Sequence, residues 1–293
     1  MSKKQALITG HKGFVGNYFV NRLSNDGYDI TGIDIKDGND IRDFLKYNES
    51  YYDVVIHLAA VVGGRQTIEN SPLSVAIDLS IDSEFFNWVL KTKPGHTIYF
   101  SSSAAYPIKY QTKNSKIKLP ENYIDLNNIR SPDYTYGWAK LTGEYLAKFV
   151  SKEYNKITIL RPFSGYGTDQ DLSYPFPSFI ERAKNKDNPF VIWGNGQQVR
   201  DFIHIRDIVN MVMLCINDHI YDTYNIGSSL GISFNDLCNI MCNIMGYTPI
   251  VEHLKDKPSG VMYRVADIKK MSTIFSPQIT LEQGIKMSLD NII

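Results

Sequence analysis

Short apolar runs alternate with helical patterns through the first half of the chain. The runs QALIT, YDITGID, YDVVIHLAA, HTIYFSSS and KITILRPF are typical of buried strands. Between them, helical patterns run from Gly13 to about Asn25, over residues 72–91 and from about Tyr136. Alternation of this kind indicates right-handed crossovers and a parallel sheet covered on both faces. The pattern therefore predicts an α/β fold with a doubly wound parallel sheet.

After Phe163 the pattern changes to turns and short helices, as in YPFPSFIERAKN and ISFNDLCNIMCNIMG. Such a change fits a smaller mixed α/β cap, built mainly from residues 164–293, beside a first domain of residues 1–163. The stretch RDFIHIRDIV leaves the border open, because it can return to the main sheet. We therefore expect return segments near residues 198–228 to belong to the first domain.

Composition limits the partners of the chain. Thirty-one basic and thirty-one acidic side chains cancel over 293 residues, so no net charge attracts nucleic acid or an anionic membrane. Three cysteines are too few for a disulfide framework, and Cys238 and Cys242 lack the further ligands of a metal site. Without an apolar run of membrane-spanning length or a signal-peptide pattern, we expect a cytoplasmic protein with no metal.

A glycine-rich turn follows the first predicted strand. In LITGHKGFVG, Gly10, Gly13 and Gly16 stand where a chain turns from strand to helix and where backbone can approach a pyrophosphate. Asp34 closes the second predicted strand, where a carboxylate would accept hydrogen bonds from an adenosine ribose. It would repel a 2′-phosphate and so favours NAD over NADP, although the nearby Lys36 leaves NADP open.

A tyrosine and a lysine are spaced for joint chemistry in SPDYTYGWAK. Tyr136 and Lys140 are four residues apart and share one face of the predicted helix, whereas Tyr134 lies six positions before the lysine and points away. A tyrosine hydroxyl is a poor base unless a nearby positive charge stabilises the phenolate. We therefore expect Lys140 to lower the pKa of Tyr136.

Together, the glycine spacing G-x-x-G-x-x-G, the HLAA after the third strand, the SSS after the next strand and the Y-x-x-x-K pair resemble the extended short-chain dehydrogenase/reductase family. More narrowly, the chain is similar to the NAD-dependent epimerase/dehydratase branch, which acts on nucleotide sugars. The likeness continues through ILRPFSGYG, WGNGQQVRDFIHIRDIV, YNIG and KPSGVMYRVAD. It implies a Rossmann-type sheet, NAD as cofactor and a nucleotide-diphosphate sugar as substrate.

The resemblance also implies roles for individual residues. Tyr136 would be the catalytic base, and Lys140 would support it and hold the nicotinamide ribose. Ser102 would bind the substrate hydroxyl if the count runs back from the tyrosine-proline pair, while a count forward from the strand selects Ser103. The remaining cofactor contacts would be Gly10, Gly13, Phe14, Val15, Gly16, Asp34, Ile35, Lys36, Asp40, Ile41, Leu58, Ala59, Ala60, Pro162 and Phe163.

On the substrate side, Arg200 and Arg264 occupy positions that clasp the diphosphate in this family, and a guanidinium fork suits a phosphate pair. Trp193 would lie near the nucleotide base of the substrate or in the core. Ser164 stands where the family commonly has asparagine in a substrate contact. Asp78 likewise replaces a common asparagine near the cofactor.

The residues after Ser102 narrow the reaction that the resemblance implies. Dehydratases of the family carry an acidic pair there, and the branch that epimerises GDP-sugars at C3 and C5 has cysteine where Ala104 stands. The sequence has neither, which favours C4 epimerisation through a transient 4-keto sugar. A GDP-sugar 3,5-epimerase, another dehydratase or oxidoreductase of the family, and a non-catalytic NAD-binding regulator remain alternatives. Family relatives often pair the Tyr136 helix with the helix around Ile77–Leu90, which implies a homodimer.

Overall fold

A computed structural model describes residues 3–63, 69 and 71–290 of the chain. The strands are β1 (Gln5–Thr9), β2 (Asp29–Ile33), β3 (Val54–His57), β4 (Thr97–Phe100), β5 (Ile157–Pro162), β6 (Ser164–Tyr166), β7 (Phe190–Trp193), β8 (Val199–His204), β9 (Thr223–Ile226), β10 (Gly231–Ser233), β11 (Val251–Leu254) and β12 (Tyr263–Arg264). The α-helices are α1 (Phe14–Asn25), α2 (Ile41–Tyr47), α3 (Pro72–Val75), α4 (Ile77–Thr92), α5 (Tyr134–Val150), α6 (Pro175–Asn185), α7 (Ile205–Asn217), α8 (Phe234–Ile244) and α9 (Leu281–Leu289).

Six strands form the main sheet in the order β2-β1-β3-β4-β5-β9, and every pairing is parallel. The side chains of β1 alternate, so that Ala6 and Ile8 face one side while Leu7 faces the other. On the first side lie α1 and α7, and on the second lie α2, α4 and α5. The predicted doubly wound parallel sheet is confirmed.

A second group of strands centres on β8. This strand pairs with β10 in antiparallel fashion and with β6 and β12 in parallel, while β7 and β11 form a separate pair. Around them, α6, α8 and α9 bury an apolar cluster that includes Phe179, Phe190 and Leu237. Within the expected return segment, β9 joins the main sheet beside β5 and α7 packs on it, but β8 does not pair there.

The ends of the elements agree closely with the sequence patterns. The helix expected from about Tyr136 begins two residues earlier, at Tyr134, which leaves the spacing of Tyr136 and Lys140 unchanged. Cys238 and Cys242 are buried thiols on one face of α8, with their Sγ atoms 3.9 Å apart. Within the described ranges, no helix has both the length and the apolar character needed to cross a membrane.

Candidate active site

The glycine turn packs directly against its neighbours. Gly10 has φ +71°, and a Cβ there would lie 2.9 Å from the Ala59 nitrogen. A Cβ on Gly16 would overlap the Gly10 carbonyl oxygen. Gly13 caps α1 without a side-chain hydrogen bond, and the first turn of the helix holds no acidic residue. A close turn that leads to an uncapped helix start fits a pyrophosphate, so these residues fit NAD.

Asp34 is fixed beside this turn at the end of β2. Its carboxylate accepts the backbone N–H groups of Lys12 and Lys36, both at 2.9 Å, and only 7% of the residue is exposed. The Lys36 ammonium donates to the Lys12 carbonyl oxygen at 3.0 Å, while Lys12 forms an ion pair with Asp37. The carboxylate is therefore held beside the glycine turn, where the cofactor is expected, and the exposed Ile35 follows it.

The predicted adenine contacts lie at the start of α2. Asp40 caps this helix and its carboxylate binds the Arg42 guanidinium at 2.5 Å, a hydrogen bond that lowers the pKa of Asp40. The Ile41 side chain is buried in the core beneath α2. An adenine contact from Ile41 would therefore have to come from its backbone.

The loop after β3 is tied to β1. The Thr9 hydroxyl oxygen accepts the N–H groups of Leu58 and Ala59, each at 3.1 Å. Further along the same loop, the Val61 N–H donates to the Asp78 carboxylate at 2.6 Å. These bonds bring the predicted pyrophosphate and nicotinamide residues, Leu58 to Ala60, to the carboxyl edge of the sheet next to the glycine turn. The stretch AAVVGG, residues 59–64, which resembles the branch that epimerises GDP-sugars, runs on into residue 64, outside the described residues.

The predicted catalytic side chains come together across α5 and the turn after β4. The Lys140 nitrogen lies 5.9 Å from the centre of the Tyr136 ring, and Lys140 is 3% exposed. The Ser102 side chain is close enough to Tyr136 to act on its pKa, and the Ser102 hydroxyl oxygen accepts the Ala104 N–H at 3.1 Å. Of the two alternative serines, Ser102 thus makes the contact with Tyr136, while Ser103 is buried in the turn.

Close packing explains how α5 reaches this turn. A Cβ on Gly137 would overlap the carbonyl oxygen of Ala104, and Asp133 donates its N–H to the same oxygen at 3.0 Å. Tyr134 is half exposed, in agreement with its expected direction away from Lys140. Glycine at 137 therefore lets Tyr136 approach Ser102.

Burial controls the charges of the pair. We expected Lys140 to lower the pKa of Tyr136, and both Lys140 and Ser102 act in that direction. Burial is the larger influence, however, and together with Asp78 and Asp82 it raises the pKa of Tyr136 above its ordinary value. Burial would lower the pKa of Lys140, but Tyr136, Asp82 and Asp78 outweigh it and raise that pKa. Lys140 therefore lowers the pKa of Tyr136 as expected, but burial, which the sequence reasoning left out, outweighs it.

Sequence reasoning missed a buried polar chain beneath the pair. Asp82 binds His57 Nε2 at 3.2 Å and accepts the Tyr99 hydroxyl at 2.5 Å. His57 Nδ1 in turn lies 2.8 Å from the Thr9 hydroxyl, and the Lys140 nitrogen sits 5.5 Å above the Tyr99 ring. The signal was present in IDLSIDSEFF, where Asp78 and Asp82 recur on the apolar face of the predicted helix.

The two predicted diphosphate arginines are neighbours. Arg200 on β8 and Arg264 on β12 are direct partners in the parallel register. Arg264 donates to Gln111 at 2.5 Å and forms an ion pair with Asp133 at 2.6 Å. Arg200 donates to the Val261 carbonyl oxygen at 2.7 Å. The arginine pair is therefore linked, through Asp133, to the start of the helix that carries Tyr136.

The remaining predicted contacts are distributed around the junction with the cap. Pro162 ends β5, and the Phe163 ring is buried against Tyr106, with the ring centres 6.1 Å apart. Ser164 opens β6, where it pairs with β8. Trp193 ends β7, in the two-stranded sheet separate from the one that carries Arg200. These positions do not test the predicted roles, which stay predictions.

Comparisons with known proteins agree with this geometry. The model of the NAD dependent epimerase/dehydratase family matches residues 6–227. A putative UDP-glucose 4-epimerase of Methanocaldococcus jannaschii is 30% identical, and the match covers 96% of this chain and 95% of that protein. GDP-L-fucose synthase 1 of Arabidopsis thaliana is 23% identical over 99% of this chain and 94% of that protein.

Solved structures share the fold. The UDP-glucose 4-epimerase of Thermotoga maritima, solved with UDP-glucose, superposes with a TM-score of 0.80 at 23% identity and covers 98% of this chain and 97% of that one. The UDP-glucose 4-epimerase of Thermus thermophilus, solved with NAD, gives a TM-score of 0.82 at 18% identity and covers 98% of both chains.

Proposed function

Because the chain belongs to the NAD-dependent epimerase/dehydratase family, we propose that it inverts C4 of a hexose carried on a nucleoside diphosphate. The observation that carries the proposal is the composition of the catalytic cluster. Tyr136, Lys140 and Ser102 lie together, while Ser103 and Ala104 supply neither the acidic pair nor the cysteine that the other branches place after the serine. A cycle that needs one proton acceptor is the reaction this set of side chains supports.

NAD, when bound, supplies a reversible acceptor for the hydrogen on the sugar carbon. The side chains of the protein accept and return the proton. Tyr136 takes the proton of the sugar hydroxyl as general base, and Ser102 binds the same oxygen and orients it. The Lys140 ammonium stabilises the phenolate form of Tyr136. Inversion requires the keto sugar to turn within the pocket before Tyr136 returns the proton.

Arg200 and Arg264 would retain the substrate through its diphosphate. Two guanidinium groups on neighbouring strands place two positive charges side by side, and guanidinium groups bind phosphate oxygens well. Retention through the diphosphate leaves the sugar free to turn, because no contact to the hexose itself is needed to hold the ligand. The expected nucleotide-sugar substrate follows from this arrangement and from the UDP-glucose named for the Thermotoga maritima structure.

A second candidate is epimerisation at C3 and C5 or net reduction of a GDP- or dTDP-sugar. It is favoured by the names of full-length relatives, which include GDP-L-fucose synthase 1 and a dTDP-4-dehydro-6-deoxy-D-allose reductase of a Streptomyces species. Ala104 weighs against the first of these reactions, since its methyl group cannot act as an acid.

The test is incubation of the purified protein with UDP-hexoses and GDP-hexoses in D2O, followed by separation and mass analysis of the sugars. Inversion at C4 without deuterium uptake supports the proposal, because the same hydrogen returns to the carbon. Deuterium at C3 or C5 would support the second candidate, since those protons exchange next to a ketone. A stoichiometric change in NADH absorbance would indicate net reduction or oxidation.

Bound NAD without conversion of any sugar would instead favour a non-catalytic NAD-binding regulator. The Tyr136→Phe variant is the control, since it removes the proton acceptor and leaves the ring in place. We also propose that the chain forms a homodimer through α4 and α5. A cytoplasmic location stays a prediction from the sequence.

A further inference from the structure

Two carboxylates are buried on the face of α4 that packs against α5. Asp78 and Asp82 lie one helical turn apart, and each is 1% exposed. Both act electrostatically on Lys140, which lies on the facing helix. Buried charges are costly unless opposite charges or hydrogen bonds compensate them. In this part of the core, one buried cation therefore interacts electrostatically with two carboxylates and with Tyr136.

Asp82 is compensated by hydrogen bonds from two neutral groups. The Thr9 oxygen already accepts two backbone N–H groups, so its own hydrogen points to His57 Nδ1. That arrangement places the remaining ring hydrogen of His57 on Nε2, where it is donated to Asp82. The Tyr99 hydroxyl donates to the second oxygen of the same carboxylate.

Asp78 is compensated less completely. One oxygen accepts the Val61 N–H at 2.6 Å, while the other is buried without a hydrogen-bond partner among the described residues. Burial raises the pKa of Asp78 to about 6, and Lys140 opposes the rise. The charge of Asp78 therefore changes near neutral pH, beside the catalytic pair.

We propose that Asp78 shares the Lys140 ammonium with Tyr136, so that ionised Asp78 withholds positive charge from the phenolate and shifts the working range of the enzyme to higher pH. The inference rests on the proposed role of Tyr136 as base. Asparagine, which the family commonly has at this position, carries no such charge. Asp78 would thus be a residue that tunes the pair without contacting the sugar.

The surroundings of Tyr136 support this assignment. Among the residues that the structure describes, the titratable groups that act on Tyr136 are Lys140 on its own helix, Asp78 and Asp82 from α4, Tyr99 from β4 and Tyr174 from the segment before α6. His57 on β3 contacts Asp82. Among these groups, burial raises the pKa values of Tyr99 and Tyr174 and lowers that of His57, so all three stay neutral near pH 7. Asp78 is left as the group whose charge changes there.

The first measurement needs no substrate. Protein with bound NAD and ¹³C-labelled aspartate is titrated by NMR between about pH 4 and 8, and the Asp78 signal is assigned by its loss in Asp78→Asn. Lys140→Met should move the Asp78 midpoint upward by about half a unit or more, because the stabilising cation is gone. Lys148→Met, which removes an exposed lysine from the same helix, should leave it unchanged. An equal midpoint in wild type and Lys140→Met overturns the proposal.

The second measurement is the pH dependence of kcat for the sugar conversion. Asp78→Asn keeps an oxygen for the Val61 N–H, so the loop can stay in place, and the acid limb should move to lower pH. Asp43→Asn removes an exposed charge from α2 and should match the wild type. An unmoved acid limb in Asp78→Asn overturns the proposal. If no sugar is converted, the proposed function fails while the NMR titration still decides whether Asp78 shares Lys140.

Discussion

Tyr136 owes any basic character to its neighbours, since burial alone would keep its proton in place. Lys140 and Ser102 are the groups that oppose burial. Tyr136→Phe removes the hydroxyl while the ring remains, so we expect kcat to fall by roughly 10²- to 10⁴-fold, the usual contribution of a positioned acid or base.

Turnover is measured together with the NAD released on denaturation, which should equal that of the wild type. Tyr134→Phe is the matched control, because this neighbouring tyrosine is half exposed and points away from Lys140. If Tyr134→Phe lost activity and Tyr136→Phe kept it, the assignment of the base would be wrong.

Asp34 offers a test of the cofactor preference. Its carboxylate is held by two backbone N–H groups at the end of β2, where the sequence predicts a contact to the ribose hydroxyls. Asp34→Ser removes the charge that repels a 2′-phosphate and leaves Lys12 and Lys36 nearby. We expect NAD to bind roughly 10- to 100-fold more weakly, as for the loss of hydrogen bonds to a charged group, and NADP to bind more tightly.

Calorimetric titration with both nucleotides checks this, with Asp43→Asn as a control for the loss of one negative charge. If NAD and NADP both bound more weakly by the same factor, Asp34 would stabilise the turn without contacting the ribose.

The buried Asp78 carboxyl should make the free energy of unfolding depend on pH. Burial raises its pKa from 3.8 to about 6 in the folded chain, so the folded state binds the proton more tightly than the unfolded state. The favourable contribution is complete below about pH 4 and is lost as the pH rises through about 6. Asp78→Asn has no charge to bury, so its stability relative to wild type should rise over this range by up to about 3 kcal/mol.

Urea unfolding of Asp78→Asn and of the wild type, at about pH 4.5 and at pH 8, measures the difference in their free energies of unfolding at each pH. A difference between variant and wild type that is the same at both values would contradict the raised pKa.

At the scale of elements, the contact of α5 with β4 and α4 depends on a missing side chain. A Cβ on Gly143 would overlap the Tyr99 hydroxyl and approach Asp82. Gly143→Ala should therefore push α5 away and lower the free energy of unfolding by about 1–3 kcal/mol, although alanine favours helices. Denaturant unfolding measures the loss, with Thr142→Ala on the more exposed side of α5 as the control. Equal effects of the two changes would show that the core can absorb the methyl group.

Elements formed by neighbouring residues could be predicted from sequence. The glycine turn and the Tyr136–Lys140 pair each lie within seven consecutive residues, so spacing alone locates them. The Arg264–Asp133 ion pair joins residues 131 positions apart, and the His57–Asp82 contact joins residues 25 apart. Such contacts depend on which strands and helices become neighbours, and periodicity does not specify that.

The same limit explains the position of β8. Its sequence, VRDFIH, left open a return to the main sheet, but β9 takes the place beside β5, and β8 pairs with short strands of the cap. Burial was also missing from the sequence reasoning about Tyr136. The three-dimensional surroundings of Asp78, Asp82 and Lys140 set those charges, and the sequence showed only that acidic residues recur on one face.

At the scale of the whole molecule, α4 and α5 carry several exposed large apolar side chains. Trp138, Tyr145 and Phe149 lie along one face of α5 and are 44%, 37% and 46% exposed. Ile77 and Leu79 on the neighbouring α4 are 41% and 39% exposed. An exposed apolar face of this kind marks a surface for association. It coincides with the helices that the resemblance assigns to a dimer.

A second copy of the chain would bury this face by pairing α4 and α5 of both copies into four helices. Light scattering should therefore give the mass of a dimer. Phe149→Glu should give a monomer, because burial of an unpaired carboxylate within this face costs more than the lost apolar contact returns. Ile250→Glu, at a 72% exposed position of the cap, should leave the dimer intact. A wild-type protein that stays monomeric at every concentration would show that this face serves another partner, and dissociation of both variants alike would place the interface elsewhere.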